Sequence, residues 1–261
     1  MGRPTIIGRC IYCGTTDPPL RREHVVPFGL LADMVLHEAS CERCAKITGR
    51  FEGYCLGKYL GPARAASNFR SRKKKRKPPV VEVTFEDGNK KQVPVMPDGF
   101  PAVIWMPVFP YAGALIGKPQ QSDNTLYVVS MWHCISVDAA KAYRKKTGVT
   151  EIDFGFVDNL QFARMIAKIG LCAAVAEYGA DSFTSLVTDL ILGKSDRVNH
   201  LIGSGTDEKS MRHQALHAIS VRVNEESGMI IALVRLFAHL EAPIYHVIVG
   251  LRPGGKITKL F

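Results

Sequence analysis

Cys10-Ile11-Tyr12-Cys13, Arg22-Glu23-His24-Val25-Val26-Pro27 and Cys41-Glu42-Arg43-Cys44 fall within the first fifty residues and organise the rest of the chain. Each Cys-x-x-Cys sets two soft thiolates on one tight turn, and two such turns supply a tetrahedral zinc shell. More than twenty-five residues separate Cys13 from Cys41, beyond the usual zinc-ribbon gap, so something larger than a turn must fit between the knuckles. That insert carries an acid and an imidazole side by side, Glu23 and His24. A four-cysteine zinc site is closed, so zinc here is a staple and any hydrolytic centre needs its own ion. A hard cation such as Mg2+ or Mn2+ takes oxygen ligands, for which Glu23 is suited. His24, neutral near pH 7, is suited to deprotonate a water attacking phosphorus.

These residues together resemble the HNH endonuclease family. Its ββα-metal module shows a first Cys-x-x-Cys, an acid-His-hydrophobic-x-Pro stretch, and a second Cys-x-x-Cys opening a helix. The resemblance covers about residues 8–55. It implies Cys10, Cys13, Cys41 and Cys44 as zinc ligands, His24 as general base, and Glu23 as ligand to a catalytic Mg2+ or Mn2+. The chain departs from the family at two places. His37 or Glu38 stands near the family's middle Asn, and Ala45 stands where a His or Asn commonly follows the second knuckle. Glu52, seven residues after Ala45, returns to the same helix face two turns later and is the expected substitute metal ligand. The implied activity is hydrolysis of DNA phosphodiester bonds. The missing residue at Ala45 keeps open a zinc module that binds nucleic acid without cutting it.

Composition agrees with a polyanionic partner. The chain has 261 residues, 34 Lys plus Arg against 24 Asp plus Glu, and a formal charge of +10. Such a balance favours polyanionic partners such as nucleic acid, DNA or RNA, or an anionic membrane surface. No apolar run reaches the twenty or so residues that span a bilayer, and no secretory leader is expected. Seven cysteines, an odd number, argue against a disulfide framework and for thiolates in a reducing cytoplasm. Arg21, Arg22 and Arg43 flank the expected site and are candidates for phosphate contacts. So are Arg72, Lys73, Lys74, Lys75, Arg76 and Lys77, in a basic run ended by two prolines. Such a run contacts phosphates without reading sequence.

The expected fold class is α+β: a small zinc-stapled module at 1–66, a basic linker at 67–79, and a larger domain with an antiparallel sheet at 80–261. Helix is expected from about Glu42 to Leu60. A hairpin at residues 80–95 follows from period-two alternation around Asp87-Gly88. A strand is expected over 126–132, then a helix from Val137 to Thr147 capped by Ser136. Asn159 to Tyr178 is the clearest long helix, with apolar residues at helical spacing and Gly179 at its stop. Arg164 and Lys168 are assigned to its solvated face. Asp181 is expected to cap a further helix through Leu192, and three strands follow near 215–223, 229–237 and 244–251. Cys55, Cys134 and Cys172 are expected in packed positions. His133, His200, His213, His217, His239 and His246 are assigned packing or capping roles. Accompanying domains occur with such modules in restriction and mobile-element proteins, so a defence role is implied by analogy alone.

Overall fold

The structure, a computed structural model, describes residues 5–31, 33–69, 77–97, 99–101, 103–119, 128–134, 137–155, 157–205, 215–240 and 242–257, with the backbone alone for 129–134. The run from Arg72 to Arg76, the Ser136 cap, His213 and the side chains of His133 and Cys134 lie outside the described residues. Within the described part the chain is mixed α+β with antiparallel sheets.

The N-terminal module is two strands and a helix with one added strand. β1 (Thr5–Ile6), β2 (Leu20–His24) and β3 (Val35–Cys41) form a sheet in the order β1-β3-β2. α1 (Glu42–Tyr54) leaves β3 directly, widens into a π turn over Cys55–Tyr59, and leads to α2 (Gly61–Ala66). The β2–β3 register slips between Arg21 and Glu23. A bulge of this kind adds a residue to one strand and re-aims its side chains. Arg21 and Arg22 therefore both face solvent, while Glu23 turns inward.

A second unit follows. β4 (Val80–Phe85) and β5 (Lys90–Pro94) form the expected hairpin, with Gly88 at φ +80° and the Asp87 carboxylate accepting the Asn89 N–H at 3.0 Å. Pro94 lies on the edge strand, where a missing ladder donor does least harm. β6 (Val103–Val108) pairs with β7 (Val129–Cys134). α3 (Val137–Thr147) ends at Gly148 and leads into β8 (Val149–Asp153), which adds to β4 as a third strand. Val81, Val83, Val95, Phe100 and Val149 make a small core of their own.

α4 (Asn159–Tyr178) is the spine of the molecule. Asp158 caps it by accepting from the Leu160 and Gln161 N–H groups at 3.1 Å, and Gly179 at φ +86° ends it. It lies on a sheet made of β9 (Thr184–Ser185), β10 (Ile202–Gly205), β11 (His217–Val223), β12 (Met229–Leu236) and β13 (Ile244–Leu251). A Cβ on Gly170 would stand 3.1 Å from Val247 and 3.2 Å from Ala232, so the absence of a side chain sets how closely helix and sheet approach. Phe162 packs edge-on against Tyr59 and Tyr245. Val25, Leu36 and Phe51 of the module belong to the same apolar cluster as Ile166, Ile169 and Val247. Among the described residues no helix is long and apolar enough to cross a membrane.

Two expectations fail here. The helix from Asp181 to Leu192 is replaced by β9 and one short helix, α5 (Thr188–Ile191); a second short helix, α6 (Val198–Leu201), leads into β10. Residues 184–185 instead pair with the edge of β13, where Gly250 leaves room for the Thr184 backbone, and Asp181 pairs with Arg9 at 2.6 Å. The second failure, at Lys168, bears on the site itself.

Candidate metal centre and a buried ammonium

The four cysteines meet. Cys10 opens a tight turn closed by the Gly14 N–H on its carbonyl at 2.8 Å, with Gly14 at φ +76°. Cys41 is the last residue of β3, and Cys44 lies in the first turn of α1. All four Sγ atoms lie within 4.8 Å of one another. The Cys13 and Cys41 sulfurs are 3.7 Å apart, far longer than the roughly 2.05 Å of a disulfide. Tetrahedral zinc with bonds of about 2.3 Å holds its sulfurs about 3.8 Å apart. The donor set therefore fits a metal such as zinc, and all four ligand positions come from protein thiols. Burial raises the Cys10 thiol. At Cys13 burial also acts upward, but hydrogen bonds from the Thr15 backbone and the neighbouring thiols prevail and hold it at about 7. This exposed thiol is the readiest to ionise and to meet an incoming cation.

The acid pair converges as well, but on a different cation. Glu23 on β2 and Glu52 on α1 each place Oε1 2.8 Å from Lys168 Nζ. The same ammonium donates to the carbonyl oxygen of His24. A lysine has three N–H donors, and these three oxygens account for them. Lys168 is wholly buried and Glu23 nearly so, whereas the Glu52 side chain keeps about a fifth of its surface. Burial alone would push the Lys168 ammonium down; the carboxylates of Glu23 and Glu52 reverse this and hold it above the ordinary lysine value. Lys168 is therefore charged at every physiological pH.

This corrects the assignment of Lys168 to a solvated face. The reason is visible in α4 itself: every residue from Phe162 to Val175 except Arg164 is buried, so the helix has no wet side at that level. Arg164 also departs from a free surface charge, since it pairs with Asp196 at 2.7 Å. One turn beyond Lys168, Cys172 Sγ lies 3.8 Å from the Tyr12 hydroxyl. Burial pushes the Cys172 thiol up to about 12, and Tyr12 is raised well above its ordinary value by burial and by the nearby thiol and carboxylates. Both groups stay protonated and act as packing.

The remaining expected residues distribute as follows. Glu52 does reach Glu23, because α1 carries its carboxylate to the inner face of the module. Lys168 Nζ, with its three oxygen partners, stands at the point where the expected hard divalent ion would bridge the two carboxylates. His24 ends β2, half-buried and edge-on to Phe28 with ring centroids 5.7 Å apart. Arg22 is exposed; Arg21 lies 3.5 Å from Glu42. Arg43 is fully exposed, with its guanidinium held above its ordinary value by hydrogen bonding to the Cys13 thiol. Lys77 is exposed at the end of the basic run. Cys55 and Cys172 are buried, as expected. The residue missed by pattern reading is Lys168. The signal for it was a single charge inside Met165-Ile166-Ala167-Lys168-Ile169-Gly170-Leu171, a run with no polar face to carry it.

Comparison of the chain with protein-family models, with curated proteins and with solved structures finds no match in any of the three.

Proposed function

We propose that this protein binds nucleic acid, DNA in particular, through a zinc-stapled N-terminal module laid out like a nuclease but with Lys168 in place of the catalytic cation. The observation that carries this reading is the Lys168 ammonium seated 2.8 Å from both Glu23 and Glu52. Two acids and the end of the His24 strand converge on one point, as a cleaving centre requires. A permanent internal cation takes that point and brings no water to activate. A divalent ion would have to displace a fully buried charge, and unpairing such a charge costs about 3–5 kcal/mol. The formal charge of +10 and the exposed Arg21, Arg22 and Arg43 around the knuckle support a polyanionic partner.

A second reading, a divalent-dependent endonuclease with His24 as base, is favoured by the same convergence of Glu23 and Glu52 beside His24. One experiment separates the two. Zinc-loaded wild type and His24→Ala are incubated with supercoiled plasmid in Mg2+ or Mn2+, and binding is followed by gel shift. Shifted but uncut plasmid with both proteins is the expected result. Nicking by wild type that disappears in His24→Ala would overturn the binding reading in favour of the endonuclease, and with it a restriction-like role. No shift and no nicking would end both.

A further inference from the structure

The outer face of α1 carries a basic stripe that the acid pair does not share. Arg43, Lys46 and Arg50 are all exposed, and at 100° per residue they fall within an arc of about 60° spread over about 10 Å of helix. Among the described residues no carboxylate pairs with Arg43 or Arg50. Lys46 reaches Glu42 at 3.2 Å, and Glu42 also draws in Arg21. Glu52 lies nine residues from Arg43, about 180° around the same helix. The stripe therefore points away from the Glu23–Lys168–Glu52 cluster.

Two glycines lie beside it. On the same count Gly53 falls about 20° beyond the Lys46 edge of the stripe and Gly49 about 60° beyond it, and a Cβ built on either meets nothing within 4 Å. Glycine weakens a helix interior. Neither position is forced by packing inside the protein, because no neighbour approaches. Missing side chains there leave the helix backbone open to close approach from outside, along the Lys46 edge of the stripe.

We infer that the Arg43–Lys46–Arg50 face of α1, with Gly49 and Gly53, is the surface that seats the phosphodiester backbone of duplex DNA. This rests on the binding reading above and adds to it the site. Bound there, the duplex lies on the far side of the helix from the acid pair. The contacts go to phosphates, so they position the duplex without reading its bases.

The test uses the full-length zinc-loaded chain and a fluorescein-labelled 25-base-pair duplex, with anisotropy titrations between 50 and 200 mM salt. The triple variant Arg43→Ala, Lys46→Ala, Arg50→Ala is expected to bind at least about tenfold more weakly. Its plot of log affinity against log salt should be shallower by roughly two to three, since each phosphate contact contributes about 0.9 to the slope. The variant Gly49→Ala, Gly53→Ala should melt higher than wild type yet bind more weakly, a combination that a purely structural role for these glycines does not produce. Zinc content and circular dichroism establish that each variant is folded. Wild-type affinity and slope in the triple variant would overturn this surface and leave the binding reading standing. Absence of binding by wild type itself would overturn both.

Discussion

The module holds two clusters of charged or ionisable groups, and they differ in where their partner comes from. At the knuckles, four thiols lie within 4.8 Å of one another, Cys13 exposed, Cys41 half-buried and Cys10 and Cys44 buried, all of them from residues 10–44. Beneath them, Glu23 and Glu52 meet a cation supplied by Lys168, more than a hundred residues later in the chain and wholly buried. The first cluster has the donor set to take an ion from solution, and the second is completed by the protein itself. A pattern of ligands thus states what a site can hold. Whether it is open to a solvent ion depends on what the rest of the fold inserts.

The largest effect should come from the surface cluster. Cys44→Ser removes one thiol from the four-cysteine cluster and sits where α1 leaves β3. Structural zinc supplies on the order of 10 kcal/mol of apparent folding energy. The expected outcome is loss of bound zinc, measured by elemental analysis, and loss of the cooperative melting transition. Because Val25, Leu36 and Phe51 share a core with α4, the damage should spread beyond the first sixty residues. A variant that keeps its transition without zinc would show that the two clusters are not ranked this way.

The inner cluster should come next. Lys168→Met leaves two carboxylates facing each other in a dry site, at a cost of about 3–5 kcal/mol in urea unfolding. Adding Glu23→Gln and Glu52→Gln to Lys168→Met should recover most of that loss, since a neutral site of similar volume carries no unpaired charge. Lys168→Ala sharpens the contrast. With the ammonium gone, Mn2+ should raise its melting temperature, whereas wild type should show no such response. Equal Mn2+ responses would mean that the acid pair is already open to solvent ions.

The same contrast explains what could be read in advance. The cysteine spacing, the Asp87-Gly88 hairpin, α4 with its stop at Gly179, and three of the strands in the final sheet all rest on contacts or periodicities within a few residues. β8, β9 and β10 were not legible, because each is short and is made by pairing with a distant strand edge. Glu23 and Glu52 could be brought to one site by the family resemblance, which marks Ala45 as a ligand position, together with the helix geometry that returns Glu52 to the face of Ala45. Their occupant could not, since it required knowing that α4 lies against the module. The charge in an otherwise apolar run marked Lys168 as unusual, but only the fold says which acids it serves.

The smallest effect probes a second long-range strut of the same kind, one that titrates. His217, at the start of β11, has Nε2 2.7 Å from the Leu30 carbonyl, while its Nδ1 accepts the Phe237 N–H at 3.3 Å. The backbone donor at Nδ1 requires that nitrogen to be unprotonated, so Nε2–H donates to Leu30 and the ring is neutral. Burial lowers its value below that of a free histidine, and the nearby His239 acts the same way, against the upward pull of the Leu30 carbonyl. Because the folded value is depressed, this contribution is complete above about pH 6.5 and is lost as pH falls from there through the folded value. Lys168, held to the His24 carbonyl and raised in its own titration, gives no such response over that range. Wild type should therefore lose stability from this residue as pH falls from 7.5 to 5. His217→Gln, which keeps a donor toward Leu30 but cannot protonate, should lose less over the same interval. Release of zinc in acid and the burial-lowered His200 affect both proteins alike, so the difference between their melting curves isolates His217. Identical pH dependence would show that the module is held to the sheet by the buried lysine and the apolar core, with His217 contributing no titrating share.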